Sequence, residues 1–578
     1  MIRPFLALLL AALLGPVAPA ADDHLHPRRV EPWPDRVLEL AKTLPVLEGG
    51  RVKPLSTYAG FRLLQVHGKR TLVVPDGRDP AKAVRLTPTE WLLDCLFFPE
   101  QVRGYELFRV EDRDALRAVG LSAEGKRKRD VWTYDELFTV ADRLMELGRK
   151  WFELPEMDRT PLQGHVIRTA QNLLAVHDLL SRWEGLHLFP PPPDEGAWLT
   201  APEVSERLAR GETEGLETAR AGLEKIAVLF DERQDMKRFT AEFEDWHRTL
   251  VTEAERRGEY DKIGMEVAYY EADYFYKSQV LFVLGFLVSI VGLMRTKSGL
   301  LYGVAKWGTL VPLGFLTVGI VVRCILRERP PVSTLYETIL FITAIAVGAA
   351  WVTEWINRQR LALLLGNLLG AVGMFFAGWY EEISAVDTMP QLQAVLDTNF
   401  WLSTHVTTVS MGYSAGLLAA AIAHVYILGK LFGFMQDRPG FYRNVARMVY
   451  GSIAFGLVFS TVGTILGGIW ANDSWGRFWG WDPKENGALM IVLMNLIILH
   501  GRLGGYIKEW GTCLLSIVLG TVVAFSWFHV NLLGVGLHSY GFDKSLHTLV
   551  WGFYAVEWSV FGLGIFAYYL SKARSSTV

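Results

Sequence analysis

WGRFWGWDPKENG, residues 475–487, lies between two long apolar runs of the chain, at approximately 446–470 and 486–507. Both runs are near the ~20 residues that a helix needs to cross the apolar core of a bilayer. This stretch, called here the tryptophan loop, is therefore predicted to join two membrane-spanning helices. A simple turn requires neither three tryptophans nor the aspartate, lysine and glutamate that follow, so the loop is also a candidate functional site.

The same apolar pattern recurs through the second half of the chain. We therefore predict a mainly α fold, in which residues 276–574 form a polytopic helical membrane domain of about nine spans. The apolar stretches lie at approximately 278–294, 300–326, 335–356, 361–380, 402–429, 446–470, 486–507, 510–530 and 548–570.

Basic residues in the short loops predict which side of the membrane each loop faces. Clusters of arginine and lysine fall on alternate loops, and such residues are enriched in cytoplasmic loops. The tryptophan loop is therefore predicted to face outward, together with the segments 327–334, 381–401 and 531–545; Arg327 and Arg329 are exceptions to the pattern. The clusters are Arg295 and Lys297; Arg358 and Arg360; Lys430, Arg438, Arg443 and Arg447; Arg502 and Lys508; Lys572 and Arg574.

The first half of the chain has a different character. Residues 1–20 have a positive start, a short apolar run and an Ala-Pro-Ala end, the pattern of a secretory signal peptide. Residues 21–275 mix charged and apolar residues at helical spacing, which predicts an exported, mostly helical soluble domain. FPPPPDEG, residues 189–196, is interpreted as a stiff linker that divides this domain into two lobes.

Composition excludes several classes of protein. The net charge of −3 among 578 residues gives no indication of a nucleic-acid partner. The three cysteines, Cys95, Cys324 and Cys513, are far apart and form no CxxC pair. This spacing excludes a disulfide scaffold, a zinc ribbon and a thioredoxin-like redox centre.

The tryptophan loop combines aromatic, small and charged residues in a way that suits one kind of ligand. Tryptophans gather at membrane interfaces, but an aromatic belt accounts for only one or two of them. An aromatic shelf with polar groups at its edge suits a planar ligand such as haem, and two histidines of the predicted outer side, His405 and His538, can ligate its iron. The candidate residues of the shelf are Trp475, Trp479, Trp481, Asp482, Lys484 and Glu485, with Gly476 and Gly480 between them.

These residues resemble the "WWD" signature of membrane proteins that handle haem in cytochrome c maturation. Four further segments are similar to that family and occur in its order over roughly 320–570: RPPVSTLYET at 329–338, NFWLSTHVTTVSMGY at 399–413, LIILHGR at 496–502 and GVGLHSYGF at 534–542. The resemblance is to the system II synthase of the CcsA or ResC type. GRVKPLSTYAG at 50–60 also resembles a segment of some long bacterial versions.

The resemblance implies a site and a reaction. His405 and His538 would be the outer axial ligands of haem b, the tryptophan loop would hold the porphyrin, and His500 would belong to an inner haem site. The protein would act as a cytochrome c synthase (haem lyase) component that attaches haem to the CxxCH segment of exported apocytochrome c. It would reside among lipids of the bacterial inner membrane with a second system II component of the ResB type, because residues 21–277 contain none of that component's spans.

Several residues remain open as alternatives. His529 is a rival to His538 for the second outer ligand, and His424 is a candidate to face His500 at the inner site. A histidine at these positions is also consistent with an ordinary hydrogen bond to a neighbouring helix. The outer cations Arg327, Arg329, Arg477 and Lys484 are candidates to pair with the haem propionates, or to serve the structure alone.

Three other functions are consistent with parts of this pattern. A haem exporter or carrier without ligation activity would need the same histidines. A bis-histidine electron-transfer subunit would pair histidines on facing helices within the bilayer, whereas the outer edge carries the strongest candidates here. A transporter of another substrate is disfavoured by the absence of an inverted repeat of spans in the sequence.

The loop charges generate a topology prediction. Reporter fusions at Gly440 and Ser545 should give opposite locations, because Gly440 lies in a basic loop and Ser545 ends an outer segment. Alkaline phosphatase activity at Ser545 and fluorescent-protein signal at Gly440 are expected. The same location at both positions would contradict the predicted orientation and with it the outer haem site.

Overall fold

The computed structural model describes residues 29–576, apart from 77–81, 127, 129, 156–157, 184, 296, 391–399, 534 and 537–544. The predicted signal peptide at 1–20 therefore lies outside the described residues. The chain divides into two compact units, the first formed by residues up to Glu48 together with Val52–Ile263, and the second by Gly49–Arg51 together with the chain from Gly264 onward.

The first unit is mostly helical and contains three small antiparallel sheets, in which β1 pairs with β2, β3 with β4 and β5 with β6. Its helices and strands are α1 (Asp35–Lys42), β1 (Pro45–Glu48), β2 (Arg51–Pro54), α2 (Leu55–His67), β3 (Leu72–Pro75), β4 (Ala83–Leu86), α3 (Pro88–Phe97), α4 (Pro99–Arg103), β5 (Phe108–Arg109), α5 (Arg113–Val119), β6 (Val131–Trp132), α6 (Tyr134–Phe138), α7 (Ala141–Phe152), α8 (Pro161–Arg182), α9 (Ala201–Ala209), α10 (Glu217–Glu232) and α11 (Met236–Arg256).

Several of these helices begin at a capping box. Thr200 accepts a hydrogen bond from the backbone nitrogen of Glu203, whose carboxylate accepts one from the Thr200 nitrogen at 2.7 Å. This is the cap that the sequence predicts for α9. The same arrangement starts α3, α6 and α8 at Thr87, Thr133 and Thr160. Each box satisfies two backbone groups that the helix itself leaves without partners.

The interpretation of 189–196 as a divider of two lobes is corrected by the packing around it. Phe189 is fully buried and pairs with Leu199 through an antiparallel bridge. One apolar cluster contains residues from both sides of this segment, from Trp33 to Leu250. The segment therefore does not separate two bodies: Phe189, Pro190 and Pro191 belong to a single core, and the residues from Pro192 to Gly196 lie at its surface.

The second unit is a bundle of long helices, as the sequence predicts. Nine helical segments of the described chain are long and apolar enough to cross a membrane: Ile263–Met294, Gly299–Arg327, Leu335–Asn357, Leu361–Ser384, Phe400–Phe432, Phe441–Trp475, Pro483–Leu503, Glu509–Leu532 and His547–Lys572. The mainly α fold class with nine candidate spans is confirmed. We call the end of the bundle that carries the tryptophan loop the outer end, after the predicted orientation.

Individual helices in this unit differ slightly from the spans. They are α12 (Ile263–Ala272), α13 (Tyr274–Met294), α14 (Gly299–Gly308), α15 (Leu310–Arg327), α16 (Leu335–Asn357), α17 (Leu361–Ser384), α18 (Phe400–Phe432), α19 (Phe441–Trp475), α20 (Pro483–Leu503), α21 (Glu509–Ala524), α22 (Val530–Leu532) and α23 (Ser545–Ser576). A π-helical turn, Phe525–His529, joins α21 to α22.

Close approach of α18 and α19 organises the bundle around the candidate site. A Cβ added at Gly463 would lie 2.6 Å from the backbone nitrogen of Val409, and one at Gly412 would lie 2.8 Å from that of Ser460. Small residues let two helices approach until their backbones are in contact. In a membrane, where lipid is as apolar as the helices, such close packing contributes to helix association. The two backbones therefore meet directly next to His405.

A buried ionic cluster explains the position of Arg327, one of the two arginines that break the charge pattern. Glu337 accepts hydrogen bonds from Arg323 at 2.9 Å and from Arg327 at 2.6 Å, and all three side chains are at most 6% exposed. Arg327 also donates to the carbonyl of Pro390 at 2.9 Å. Arg327 thus has partners within the protein, and its position on the outer side serves this cluster.

Arg51, in the segment GRVKPLSTYAG, belongs to a second cluster of the same unit. Its guanidinium donates to both carboxylate oxygens of Glu266, at 2.6 and 3.0 Å, and to Asp387 at 2.9 Å. It also donates to the carbonyl of Met389 at 3.0 Å. Burial by itself lowers the pKa of Arg51, but the bond and charge of Glu266 outweigh it, so that the pKa lies above its ordinary value. Arg51 therefore fastens the segment around Asp387 to the start of α12.

Loss of Arg51 should destabilise the second unit. In Arg51→Ala the Glu266 carboxylate, which is only 3% exposed, would keep its charge but lose its partner. This loss should lower the free energy of unfolding by about 3 kcal/mol. The thermal midpoint of the purified protein should fall by several degrees. Arg62→Ala is the control, since Arg62 pairs with the more exposed Glu48. Equal midpoints for the two variants would contradict the structural role of Arg51.

Candidate functional site

His405 is oriented by a neighbouring helix. It lies in the first two turns of α18, and its Nδ1 contacts the carbonyl oxygen of Gly463 on α19 at 2.7 Å. A carbonyl only accepts, so Nδ1 carries the proton and Nε2 is the basic nitrogen of the ring. A second hydrogen bond that fixes tautomer and ring direction is the usual support of a metal-binding histidine. His405 therefore has the geometry of an Nε2 ligand.

The ring of His405 fills a space that α19 leaves open. A Cβ added at Gly467 would lie 2.5 Å from Cε1 of His405. The ring is nearly parallel to that of Trp470, with 6.3 Å between centroids and 11° between planes. Trp470 in turn contacts Trp475, at 4.6 Å between centroids. The buried side chain of Trp470 therefore connects His405 to the tryptophan loop.

Sequence reasoning missed Gly467 and Trp470. The available signal was their position on α19, since Trp470 precedes Trp475 by five residues and Gly467 follows Gly463 by one helical turn. Neither spacing indicates that these residues contact a histidine more than 60 positions earlier in the chain. Only the packing of α18 on α19 brings them together.

Asp482 and Glu485 hold the loop in its conformation. Asp482 caps α20 by accepting from the backbone nitrogens of Lys484 and Glu485, both at 2.9 Å. Glu485 reaches back to accept from the backbone nitrogens of Gly480 at 2.7 Å and Asp482 at 3.2 Å. Both carboxylates are buried. Their contacts are those of a capping box extended by one further bond into the loop.

The tryptophans of the loop present aromatic surface. Trp481 is 69% exposed and has a φ of +58°, a left-handed conformation that bulky residues rarely adopt. Its ring lies at 5.9 Å from that of Trp479, at 85° to it. The buried Nε1 of Trp479 has no hydrogen-bond partner among the described residues. Exposed aromatic faces next to an unsatisfied donor are properties of a binding surface for a flat ligand with polar groups.

Lys484 points away from the aromatic surface. Its ammonium donates to the carbonyl of Trp527, in the π-helical turn, at 2.9 Å. The same turn contributes Ser526, which contacts the hydroxyl of Tyr413 on α18 at 3.0 Å. Lys484 therefore connects the loop to α21 and α18 through this turn, and the geometry favours its structural role over a role in pairing with a ligand.

His529, the rival to His538, ends the π-helical turn among aromatic rings. Its ring lies 5.4 Å from that of Phe525 and 5.9 Å from those of Trp551 and Tyr554. Its Nδ1 is buried and has no hydrogen-bond partner among the described residues. His529 thus lies at the outer end but lacks the second hydrogen bond that orients His405.

His538 lies outside the described residues. Gly536, two positions earlier, is described and lies against the first turn of α20. A Cβ added at Gly536 would be 3.0 Å from Cβ of Asp482 and 3.1 Å from Cδ of Pro483. The segment that leads to His538 therefore contacts the tryptophan loop at Asp482.

The two histidines proposed for an inner site have different surroundings. His424 contacts the carbonyl of Ala420 at 2.8 Å through Nδ1, and its Nε2 lies 3.7 Å from the buried carboxylate of Glu557 on α23. His500 is exposed on α20, with Nδ1 at 2.9 Å from the carbonyl of Leu496. No hydrogen bond or ring contact joins His424 to His500 among the described residues.

Arg329, the remaining outer cation, lies at a small cavity away from the tryptophans. The cavity is lined by Ile320, Arg323, Cys324, Arg329, Pro330, Pro331, Glu337 and Leu340. It adjoins the buried Arg323–Glu337 pair, so its surroundings are those of the ionic cluster and not of the aromatic surface.

The part of the chain that contains the tryptophan loop is similar to known proteins. Residues 332–538 match the family model described as "Cytochrome C assembly protein". The chain is 26% identical to Protein NrfI of Wolinella succinogenes over 516 residues, which are 85% of this chain and 53% of NrfI. It is 31% identical to cytochrome c biogenesis protein CcsA of Chlamydomonas reinhardtii over 225 residues (37% of this chain, 61% of that protein), and 28% identical to CcsA of Nicotiana tomentosiformis over 283 residues (42% and 86%).

The membrane-spanning region of the chain is similar to the cytochrome c assembly family over residues 332–538. This confirms the resemblance read from the sequence motifs, and the nine candidate spans agree with a multi-pass membrane protein. The chain spans about half the length of NrfI, which it matches over most of its own length. The similarity to NrfI therefore extends into the first unit, while the family model covers only the helical bundle.

The close contact between Gly467 and the ring of His405 generates a prediction. In Gly467→Ala the new methyl group would overlap the His405 ring and rotate it away from the Gly463 carbonyl. Loss of an orienting hydrogen bond at a metal ligand typically costs tenfold or more in affinity, so haem retention should fall by about tenfold. The measurement is the haem absorbance per protein after purification.

Gly451→Ala is the matched control, because it lies on the same helix and a Cβ there meets nothing within 4 Å. It should retain haem at the level of the parent protein. If Gly467→Ala also retained haem fully, with an unchanged spectrum, the ring of His405 would not be the group that this glycine accommodates.

Proposed function

We propose that this protein binds haem at the outer end of its helical bundle and positions it for covalent attachment to exported apocytochrome c. The observation that carries the proposal is the orientation of His405, whose Nδ1 bond to Gly463 makes Nε2 the basic nitrogen of the ring, next to Trp470 and the tryptophan loop. The similarity of the helical bundle to the cytochrome c assembly family supports the same function.

The described residues fit haem in chemistry and shape. His405 supplies an imidazole ligand, and Trp475, Trp479 and Trp481 supply aromatic surface for the porphyrin. His538 is proposed as the second ligand of haem b, supported by the contact of Gly536 with the loop at Asp482. Two imidazoles on opposite faces would hold the iron six-coordinate. The buried carboxylates of Asp482 and Glu485 maintain the loop on which this surface depends.

The proposed reaction joins two substrates that this chain holds together. Each thiol of the CxxCH segment adds across a haem vinyl group, so that sulfur bonds to one vinyl carbon, the thiol proton goes to the other and nothing leaves. The chain supplies position, holding haem and peptide in an arrangement from which addition occurs, a contribution that can be large. Replacement of one protein histidine by the CxxCH histidine would then release the product.

A second membrane component, of the ResB type, is proposed at the exposed face of α20. His500 lies on this face in one stripe with Met490, Leu493, Ile497 and Leu503. It lies in the last turn of α20, about 25 Å along the helix from Pro483, and so near the predicted inner surface of the membrane and not at its centre. A partner helix that covers this stripe would offer a second ligand opposite His500. We propose that haem enters the protein there, from the cytoplasmic side of the bacterial inner membrane, while the first unit is exported.

The outer ligands are tested by replacement. His405→Ala should lose the six-coordinate low-spin haem spectrum and reduce covalent cytochrome c to background when apocytochrome c is coexpressed, because the iron loses an oriented ligand. His538→Ala should behave alike, and added imidazole should partly restore both. His529→Ala is the control and should keep the spectrum. Normal maturation in His405→Ala would exclude the proposed site; haem retention without maturation in the parent protein would favour a carrier.

The inner site makes a separate prediction. His500→Ala should lower the haem content of the purified complex and impair maturation, whereas His424→Ala should leave haem content unchanged, because His424 is already engaged by Ala420 and Glu557. The measurement is haem per protein by pyridine haemochrome assay. Equal losses in the two variants would place both ligands on this chain and contradict a ligand from the partner.

A further inference from the structure

Arg477 lies folded over Gly480 within the tryptophan loop. Its guanidinium occupies the position that a Cβ at residue 480 would take. Any other residue at position 480 would displace the guanidinium, so the absence of a side chain at Gly480 makes room for Arg477. The loop therefore fixes the place of one cation among its tryptophans, a feature that the spacing of the motif alone does not reveal.

The charge of Arg477 is only partly satisfied by the protein. Its NH1 lies 3.8 Å from Oε1 of Glu485, beyond hydrogen-bond distance, and its side chain is 34% exposed. The other oxygen of Glu485 accepts from the loop backbone, at the nitrogens of Gly480 and Asp482. No hydrogen bond from the Arg477 guanidinium is found within the described ranges. Its donors are thus positioned by Gly480 and Glu485 and are accessible to a ligand.

Two other outer cations have partners elsewhere. Arg327 is bound to Glu337 and to the carbonyl of Pro390. The Lys484 ammonium is bound to the carbonyl of Trp527, below the loop. Neither is directed at the aromatic surface. Arg477 lies in the loop itself, between Trp475 and Trp479.

We propose that Arg477, packed against Gly480, binds a carboxylate of the ligand held by the tryptophan loop. For haem this carboxylate is a propionate, and in that respect the inference rests on the proposed function. A guanidinium presents paired N–H donors that match a carboxylate in two parallel hydrogen bonds, which fixes orientation as well as adding affinity. Arg477 would thereby determine which edge of the porphyrin faces the loop and which edge, with its vinyl groups, faces the incoming thiols.

The test compares haem with haem dimethyl ester, in which both propionates are uncharged esters. Purified full-length protein in detergent is titrated with each ligand and the low-spin absorbance is followed. The parent protein should bind haem about tenfold more tightly than the ester, the magnitude of one partly exposed charge-assisted pair. Arg477→Ala should lose this preference by weakening haem binding alone. Arg477→Lys should keep part of it.

Gly480→Ala provides an independent variant in which Arg477 is still present. The methyl group would push only the end of a flexible side chain, so the loop should fold while the guanidinium is displaced. This variant should lose the preference for haem over the ester as Arg477→Ala does. Arg443→Ala, which removes an exposed arginine from the predicted inner side, is the control and should keep the preference.

The outcomes separate this inference from the proposed function. If Arg477→Ala weakened haem and ester binding equally, Arg477 would act through the shape of the loop and carboxylate recognition would be excluded. A parent protein that does not distinguish the two ligands would exclude it as well. If His405→Ala did not change the spectrum of bound haem, the outer site itself would be wrong, whatever the result at Arg477.

Discussion

The hydrogen bond from Nδ1 of His405 to the carbonyl of Gly463 is the contact on which the candidate site depends. It exists because α18 and α19 approach to backbone distance, and they do so only where Gly412 and Gly463 remove side chains from the interface. The same approach leaves room at Gly467 for the imidazole and brings Trp470 alongside it. The direction of the His405 imidazole is thus a consequence of helix packing.

The tryptophan loop divides its residues between two tasks. The residues at its acidic end make contacts within the protein. Asp482 caps α20 and Glu485 accepts hydrogen bonds from the loop backbone, while Lys484 binds the π-helical turn. Its aromatic part and Arg477 remain available to a ligand. A rigid support beneath an exposed aromatic surface is the arrangement expected of a site that must hold a large flat ligand and later release it.

The sequence predicts the helical bundle well because spans are local features. The fifth span, expected at 402–429, is Phe400–Phe432 in the structure, and the fourth, expected at 361–380, is Leu361–Ser384. Contacts between distant residues were not predictable in this way: the roles of Arg51, Arg327 and Trp470 depend on partners 10 to 338 positions away. The proline run at 189–196 does not divide two lobes, because its first residues, Phe189, Pro190 and Pro191, are buried in a core that contains residues from both sides of the run.

The most direct test of this account is a structure of the haem-loaded protein at a resolution that shows imidazole orientation. We expect iron bound to Nε2 of His405, with Nδ1 still hydrogen-bonded to the Gly463 carbonyl and the porphyrin against Trp475, Trp479 and Trp481. Iron bound to Nδ1, or haem held at the outer end by histidines that do not include His405, would contradict it.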